Sequence, residues 1–226
     1  MTTVTDVALE QVAAALATGS AVVLPNPYPL TSVVAALRAE TVNAAKGRPA
    51  DQPVALWLSD PAVWAEFATS LALDAGMADL ARTLLVEERL TALLPINPTA
   101  APDWVRDAAR DDCVLVFGSC WSPLDALLTR PLRVSSANRT GHSPVASADE
   151  ASATFPPDVH ILADGDGRPA EGRSATTTVR ITNSGVTHTR CGAQDRAHGG
   201  PSAYLHHLRE VYRSDPATSF SAARHA

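Results

Sequence analysis

Short apolar runs recur along the chain, each separated from the next by a stretch with helical spacing, and this alternation limits the fold most. Ala21-Val22-Val23-Leu24, Pro53-Val54-Ala55-Leu56-Trp57-Leu58, Val114-Leu115-Val116-Phe117, Leu132-Arg133-Val134-Ser135-Ser136, His160-Ile161-Leu162-Ala163 and residues 177–182 read as strands. Residues 4–18 place Val4, Val7, Ala8, Val12, Ala15 and Leu16 on one helical face, and Gly19 closes the helix. Helices are also expected over residues 31–45, 62–69, 77–85, 123–128 and 148–154, with Gly76 separating 62–69 from 77–85. Residues 93–102 are expected to be a proline-rich loop. Residues 199–213 read as a last helix with Tyr204, Leu205, Leu208, Val211 and Tyr212 as its apolar face, and residues 214–226 as a tail without fixed structure. Strands alternating with helices predict an α/β fold, a mixed parallel and antiparallel sheet with helices over it. No repeat and no linker divides the chain, so one domain is expected over 1–195, followed by a C-terminal helix and tail over 196–226.

Composition narrows the class. Hydrophobic residues make up 46 % and charged residues 19 %, the balance of an ordinary globular protein. With only 5 % aromatic residues, the core must be built from Ala, Val and Leu. A net charge of −6 argues against a general nucleic-acid coat, which needs a basic face. Arg130, Arg133, Arg139, Arg168, Arg173, Arg180 and Arg190 all fall in the second half and leave room for a local basic concavity. Cys113, Cys120 and Cys191 show no metal-ligand spacing, and no metal site is expected. An odd cysteine count, with no basic segment opening the first twenty residues, reads as reduced thiols in the cytoplasm. No apolar run approaches the roughly 18 residues that a membrane helix needs. His206 and His207 are adjacent on the expected last helix and face apart, so they are not expected to share a metal.

Four features carry chemistry. Lys46 is the only lysine in the chain, against seventeen arginines. A position that keeps an ammonium against that bias suits a compact point charge facing phosphate. Arg48, two residues on, can present a guanidinium to the same polyanion, and Pro49 biases Arg48 toward extended backbone. Ser135-Ser136-Ala137-Asn138 leaves a strand, where amides, hydroxyls and a carboxamide can converge on a phosphate or an adenine. Arg173-Ser174-Ala175-Thr176-Thr177-Thr178 offers further hydroxyls after Gly165, Gly167 and Gly172, and Arg190-Cys191-Gly192 closes the sheet. Each has a plain structural alternative: a surface turn, an Asx turn, a Thr-rich edge strand, a solvated strand end.

The order and spacing of these features resemble the YrdC/YciO family of threonylcarbamoyl-adenylate synthases over roughly residues 7–193. Lys46-Gly47-Arg48-Pro49 is similar to the family's KxR element, and Ser136-Ala137-Asn138-Arg139-Thr140-Gly141 to its SANxSG block. Thr176-Thr177-Thr178-Val179-Arg180 is similar to its STVVD-type strand, and Arg190-Cys191-Gly192-Ala193 to its R-x-G-A ending. The resemblance implies a single-domain twisted mixed sheet with surrounding helices and a positively lined concave face. It also implies a nucleotidyltransferase that makes a carbamoyl-adenylate from ATP, bicarbonate and an amino acid, with Mg²⁺ bridging the phosphates. The family's threonine product feeds tRNA modification. On that resemblance Lys46 and Arg48 are the catalytic cations, and Ser136, Asn138, Thr176 and Arg190 complete the nucleotide and phosphate site.

The family's PTDTVYGL stretch is replaced here by Pro25-Asn26-Pro27-Tyr28-Pro29-Leu30-Thr31-Ser32, which leaves Asn26, Tyr28 and the distant Thr99 as weak substrate-binding candidates. Its PGPxT block survives partly as Asn97-Pro98-Thr99, and its RVPxHP block becomes Phe117-Gly118-Ser119-Cys120-Trp121-Ser122-Pro123, without the arginine and the histidine. Three readings stay open. The chain is an enzyme of this type acting on threonine or on a changed acyl acceptor; or it binds nucleotide or double-stranded RNA without catalysis, through Arg130, Arg133, Arg139 and Arg173; or it is an unrelated α/β domain.

Overall fold

The computed structural model describes residues 6–58, 60–118, 129–163, 167–212 and 219–222. They fall into two compact units, residues 1–63 with 120–175 and residues 64–119 with 176–226. Both are mixed parallel and antiparallel sheets with helices around them, the architecture expected from the alternation. The expected helix over 123–128, Cys120 and Gly165 lie outside the described residues.

In the first unit the strands run in the order β3 (Ala55–Trp57), β6 (Leu132–Ser136), β2 (Val33–Ala36), β1 (Val22–Leu24), β7 (His160–Ile161). Pairing is antiparallel from β3 through to β1 and parallel between β1 and β7. The helix expected over 31–45 divides instead into strand β2 and helix α2 (Ala39–Lys46). The β-branched pair Val33-Val34 lies between two strands, opposite Leu24 and Val23 on one side and Ser136 and Ser135 on the other. Tertiary pairing therefore overrides the helical spacing of the alanines. Helix α1 (Asp6–Ala17) precedes β1, and α6 (Ala148–Thr154) is capped by Ser147, whose hydroxyl accepts from the Glu150 amide at 3.2 Å.

One core face of this unit joins Val23, Val34 and Ala36 to Val42 and Ala45 of α2, and to Ala151 and Phe155 at α6. Small side chains on strand and helix let α2 lie close on β2 and β6, which fixes where its last residue ends.

The chain passes through α3 (Pro61–Ala68) into the second unit, where the order is β10 (Ser219–Ala222), β9 (Gly185–Arg190), β8 (Thr178–Thr182), β4 (Thr91–Pro95), β5 (Cys113–Phe117). β10 and β9 are parallel, β9 and β8 antiparallel, β8 and β4 parallel, β4 and β5 antiparallel. Two expectations are corrected. Residues 93–95, assigned to a loop by their prolines, complete β4, and Pro95 stands at the strand's last paired position opposite Cys113. Part of the tail expected to lack structure forms β10, with Phe220 buried opposite Val186.

Helix α4 (Ala75–Glu87) is capped by Asp74, which accepts from the Met77 amide at 2.9 Å, and it buries Met77, Leu80, Ala81, Leu84 and Leu85. Gly76, expected between two helices, lies inside its first turn. The short helices α5 (Asp103–Arg106) and α7 (Ala193–Ala197) flank the sheet. Helix α8 (Pro201–Tyr212) buries Tyr204, Leu205 and Leu208, while Val211, expected on the apolar face, is 56 % exposed. Tyr212 takes the place one turn beyond Leu208, and its hydroxyl donates to Glu88 at 2.7 Å. Among the described residues no helix is long and apolar enough to cross a membrane.

These packing assignments separate two substitutions of similar chemistry. Phe155→Ala should cost about 3–5 kcal/mol by leaving a cavity under α6. Val211→Ala should change stability by less than about 0.5 kcal/mol. Urea unfolding of both variants checks the contrast, and equal losses would contradict the assigned faces.

Candidate functional site

Lys46 is the last residue of α2, and Gly47 closes the helix in the left-handed region at φ 65°. A Cβ on Gly47 would sit 2.8 Å from Nη2 of Arg139, so glycine serves both the backbone turn and the approach of that guanidinium. Only 3 % of the Lys46 surface is exposed. Its Nζ donates to the Ser136 carbonyl at the end of β6 and to Asn138 Oδ1 at 2.8 Å. Asn138 Oδ1 also accepts from the Ser136 hydroxyl at 2.6 Å, and its Nδ2 donates to the carbonyls of Arg139 and His142. The Thr140 amide returns to the Lys46 carbonyl at 3.2 Å. Residues ninety positions apart are thus stitched into one group by the end of a helix and the exit of a strand.

The electrostatics of this group are one-sided. Burial, reinforced by the Arg48 guanidinium, lowers the Lys46 ammonium from 10.5 to about 7. Burial also holds Arg48 below its ordinary value. Arg48 Nε donates to Asn43 Oδ1 at 2.5 Å, while its Nη2 is buried and makes no hydrogen bond among the described residues. None of the described hydrogen bonds or ion pairs of Lys46 and Arg48 involves a carboxylate. A buried ammonium beside a half-buried guanidinium, with no carboxylate bonded to either among the described residues, is unfavourable in the free protein, and the arrangement favours an anion that relieves it.

Asn43 is a positioning residue that the sequence reading missed. It is fully buried in α2, and its Nδ2 donates to the carbonyls of Ala50 at 2.8 Å and Gln52 at 2.9 Å. Its backbone carbonyl accepts from the Arg48 amide at 3.0 Å. One carboxamide therefore folds residues 47–52 back and aims the Arg48 guanidinium. The available signal was an asparagine inside a helix, a position it ordinarily disfavours.

The weak substrate candidates are used differently. Asn26 Nδ2 donates to the Thr31 carbonyl at 2.8 Å, holding its own loop. Tyr28 is half exposed and lies under the Arg173 guanidinium, 5.7 Å from ring centroid to Cζ. Arg173 in turn donates to the carbonyls of Asn26 and Leu30, both at 2.8 Å. The end of this loop reaches the Lys46 group through the Ala137 amide, which donates to the Ser32 carbonyl at 3.0 Å. Beside the loop lies a cavity of about 260 Å³ lined by Pro25, Ser32, Ser147, Ile161, Arg168 and Arg173. Thr99 belongs to the second unit, exposed in a turn where its hydroxyl donates to Asn97 Oδ1 at 2.7 Å. Of the four arginines expected to line a surface for RNA, Arg133 is buried in β6 and Arg173 is occupied with loop carbonyls.

Thr176 and Arg190 meet in the second unit. The Thr176 and Thr91 hydroxyls share a hydrogen bond of 2.6 Å, and Arg190 Nη2 donates to the Thr176 carbonyl at 3.1 Å. Burial lowers the Arg190 guanidinium below its usual value. Next to them Asp195 Oδ1 accepts from the Thr177 hydroxyl at 2.5 Å and the Gly192 amide at 2.7 Å. Burial would raise the Asp195 carboxyl, but these bonds and His188 outweigh it and hold the group below its usual range.

Residues 10–192 match the Sua5/YciO/YrdC family, described as telomere recombination. The chain belongs to that family. Its fold is that of Sua5 from P. abyssi, with a TM-score of 0.68 to a double-substituted form at 19 % identity, covering 95 % of this chain and 61 % of that one. The P. abyssi Sua5 complex with L-threonine gives 0.66 at 18 % identity, covering 95 % of this chain and 63 % of that one. YciO from E. coli gives 0.60 at 16 % identity, covering 81 % of this chain and 88 % of that one. The chain thus spans about three fifths of the length of the Sua5 structures. No functionally curated protein matches it.

The single lysine makes its titration directly observable. The folded value of about 7 lies below the ordinary 10.5, so the unfolded chain takes up this proton first as pH falls. Lys46 should therefore make the free protein less stable as pH drops from about 10.5 to about 7, with no further contribution below. In protein labelled with ¹³C-lysine, the Cε resonance should titrate near 7 and move upward when tripolyphosphate is added. A midpoint that stays near the ordinary ~10.4 of lysine would contradict the burial described.

Proposed function

We propose that the chain binds the triphosphate of ATP at Lys46 and Arg48 and forms a carbamoyl-adenylate from ATP, bicarbonate and a small amine-bearing acid. One observation carries this reading: a buried ammonium and a half-buried guanidinium lie close enough for one to lower the other's pKa, with no carboxylate bonded to either among the described residues. A polyphosphate supplies the missing charge, and Arg48 Nη2 has a donor ready for one of its oxygens.

The reaction follows from that placement. Amine and bicarbonate condense to a carbamate with loss of water. A carbamate oxygen then attacks the α-phosphorus, and the bond to the β-phosphate oxygen breaks to release pyrophosphate. Lys46 and Arg48 neutralise the charge that grows on the departing pyrophosphate. Ser136 and Asn138 act through Lys46: they hold the ammonium in place, because the Asn138 carboxamide oxygen is already occupied by Nζ and the Ser136 hydroxyl. Mg²⁺ would arrive with the phosphates, since the residues bonded to Lys46 and Arg48 are amides and carbonyls rather than carboxylates.

The family membership and the likeness to a Sua5 that holds L-threonine support an amino acid as acceptor. The cavity beside residues 25–32, about 260 Å³, is small for a nucleotide and suited to a compact acid. The RNA reading is weaker, because Arg133 and Arg173 are committed within the fold.

Pyrophosphate release from ATP should require bicarbonate and one member of a twenty-amino-acid panel. Lys46→Ala should lower the rate about 100-fold or more. Asn43→Ala should raise the KM for ATP more than it lowers kcat, because it loosens the aim of Arg48. Release that ignores bicarbonate, or Lys46→Ala at wild-type rate, would refute the assignment.

A further inference from the structure

Arg139 stands between two residues that are both bonded to Lys46. Asn138 Oδ1 accepts from the Lys46 Nζ at 2.8 Å, and the Thr140 amide donates to the Lys46 carbonyl at 3.2 Å. The Arg139 carbonyl is fixed as well, accepting from Asn138 Nδ2 and from the His142 amide, both at 3.0 Å. Its backbone is therefore anchored on the cation site. Its guanidinium runs back over the close of α2, with Nη2 2.8 Å from where a Cβ of Gly47 would stand. Gly47 joins Lys46 to Arg48, so a third cation lies over the link between the other two.

The three cations grade from the interior to the solvent. Lys46 is 3 % exposed, Arg48 is half-buried, and Arg139 is exposed. The Arg139 guanidinium makes no hydrogen bond or ion pair among the described residues, so all of its N–H groups are open. A single phosphate on Lys46 and Arg48 leaves this outer guanidinium in water. A chain of phosphates that starts there and runs outward reaches it, and the planar fork can take two oxygens of the last phosphate at once. Water and salt screen an exposed guanidinium, so it adds pull on a polyanion at little cost to the free protein. A cation over the end of α2 also complements the helix dipole, which adds stability but no dependence on phosphate number.

Resting on the assignment of Lys46 and Arg48 to the triphosphate, we infer that Arg139 sets the phosphate specificity of that site: its guanidinium grips the outermost phosphate and makes affinity depend on the length of the phosphate chain. The inner pair binds any phosphate, and the outer fork favours three over one.

Inorganic tripolyphosphate and orthophosphate are the probes, titrated into the full chain, the first by calorimetry and the second through the Cε resonance of the single lysine. Arg139→Gln should bind tripolyphosphate about tenfold more weakly, the scale of one lost charge-assisted contact, and orthophosphate as wild type does. Arg139→Lys, which keeps the charge and loses the fork, should fall between. Wild-type tripolyphosphate affinity in Arg139→Gln would overturn the inference while leaving Lys46 and Arg48 in place, and equal losses for the two probes would overturn the dependence on length. An Arg139→Gln chain that keeps tripolyphosphate but loses a short RNA duplex would overturn it in favour of an RNA contact. Lys46→Ala binding tripolyphosphate as wild type would remove the site itself, and the inference with it.

Discussion

A buried ammonium with no carboxylate bonded to it among the described residues ties the end of α2 to the exit of β6. Lys46 Nζ is held by a strand-end carbonyl and an asparagine oxygen, ligands that fix its position without cancelling its charge. Had an aspartate stood at 138, the pair would neutralise itself and an incoming polyanion would compete with an internal one. The asparagine keeps the field outward-acting. Arg48 follows the same logic, since its partner Asn43 is another carboxamide. Twice in one site, a neutral amide does a job that an acid would have spoiled.

This arrangement depends on remote packing. Asn138 is reached only because β6 pairs with β2 in a register that sets Ser136 opposite Val33, and because α2 lies on both strands. Small residues such as Ala36 and Ala45 permit that close approach. A chain poor in aromatics and rich in alanine is thus suited to bring a helix terminus and a strand exit within one hydrogen bond.

The parts legible from sequence were those with a local cause. Strands built of Val and Leu, the close of the first helix at Gly19 and the exceptional status of Lys46 all follow from neighbouring residues. The misread parts have non-local causes. Val33-Val34 form a strand because two partners flank them, Leu93–Pro95 because β5 and β8 accept them, and Phe220 because Val186 lies opposite. Asn43 was invisible for the same reason: its importance lies in the carbonyls of residues 50 and 52, which only the folded turn brings to it.

On the proposed reading, residues 25–32 form the acceptor end, whose hydrogen bonds differ in kind from those around Lys46. Its prolines remove amide donors that a substrate carboxylate could use, and its carbonyls are bonded within the unit, Thr31 by Asn26 and both Asn26 and Leu30 by Arg173. Its last residue touches the segment that carries Asn138, through Ser32 and Ala137. The cation site is built from α2 and β6, so substitutions between Pro25 and Leu30 reshape the neighbouring cavity without moving Lys46. On the proposed reading, specificity for the acceptor and grip on the phosphates would be carried by separate pieces of chain, so that one could diverge while the other is held.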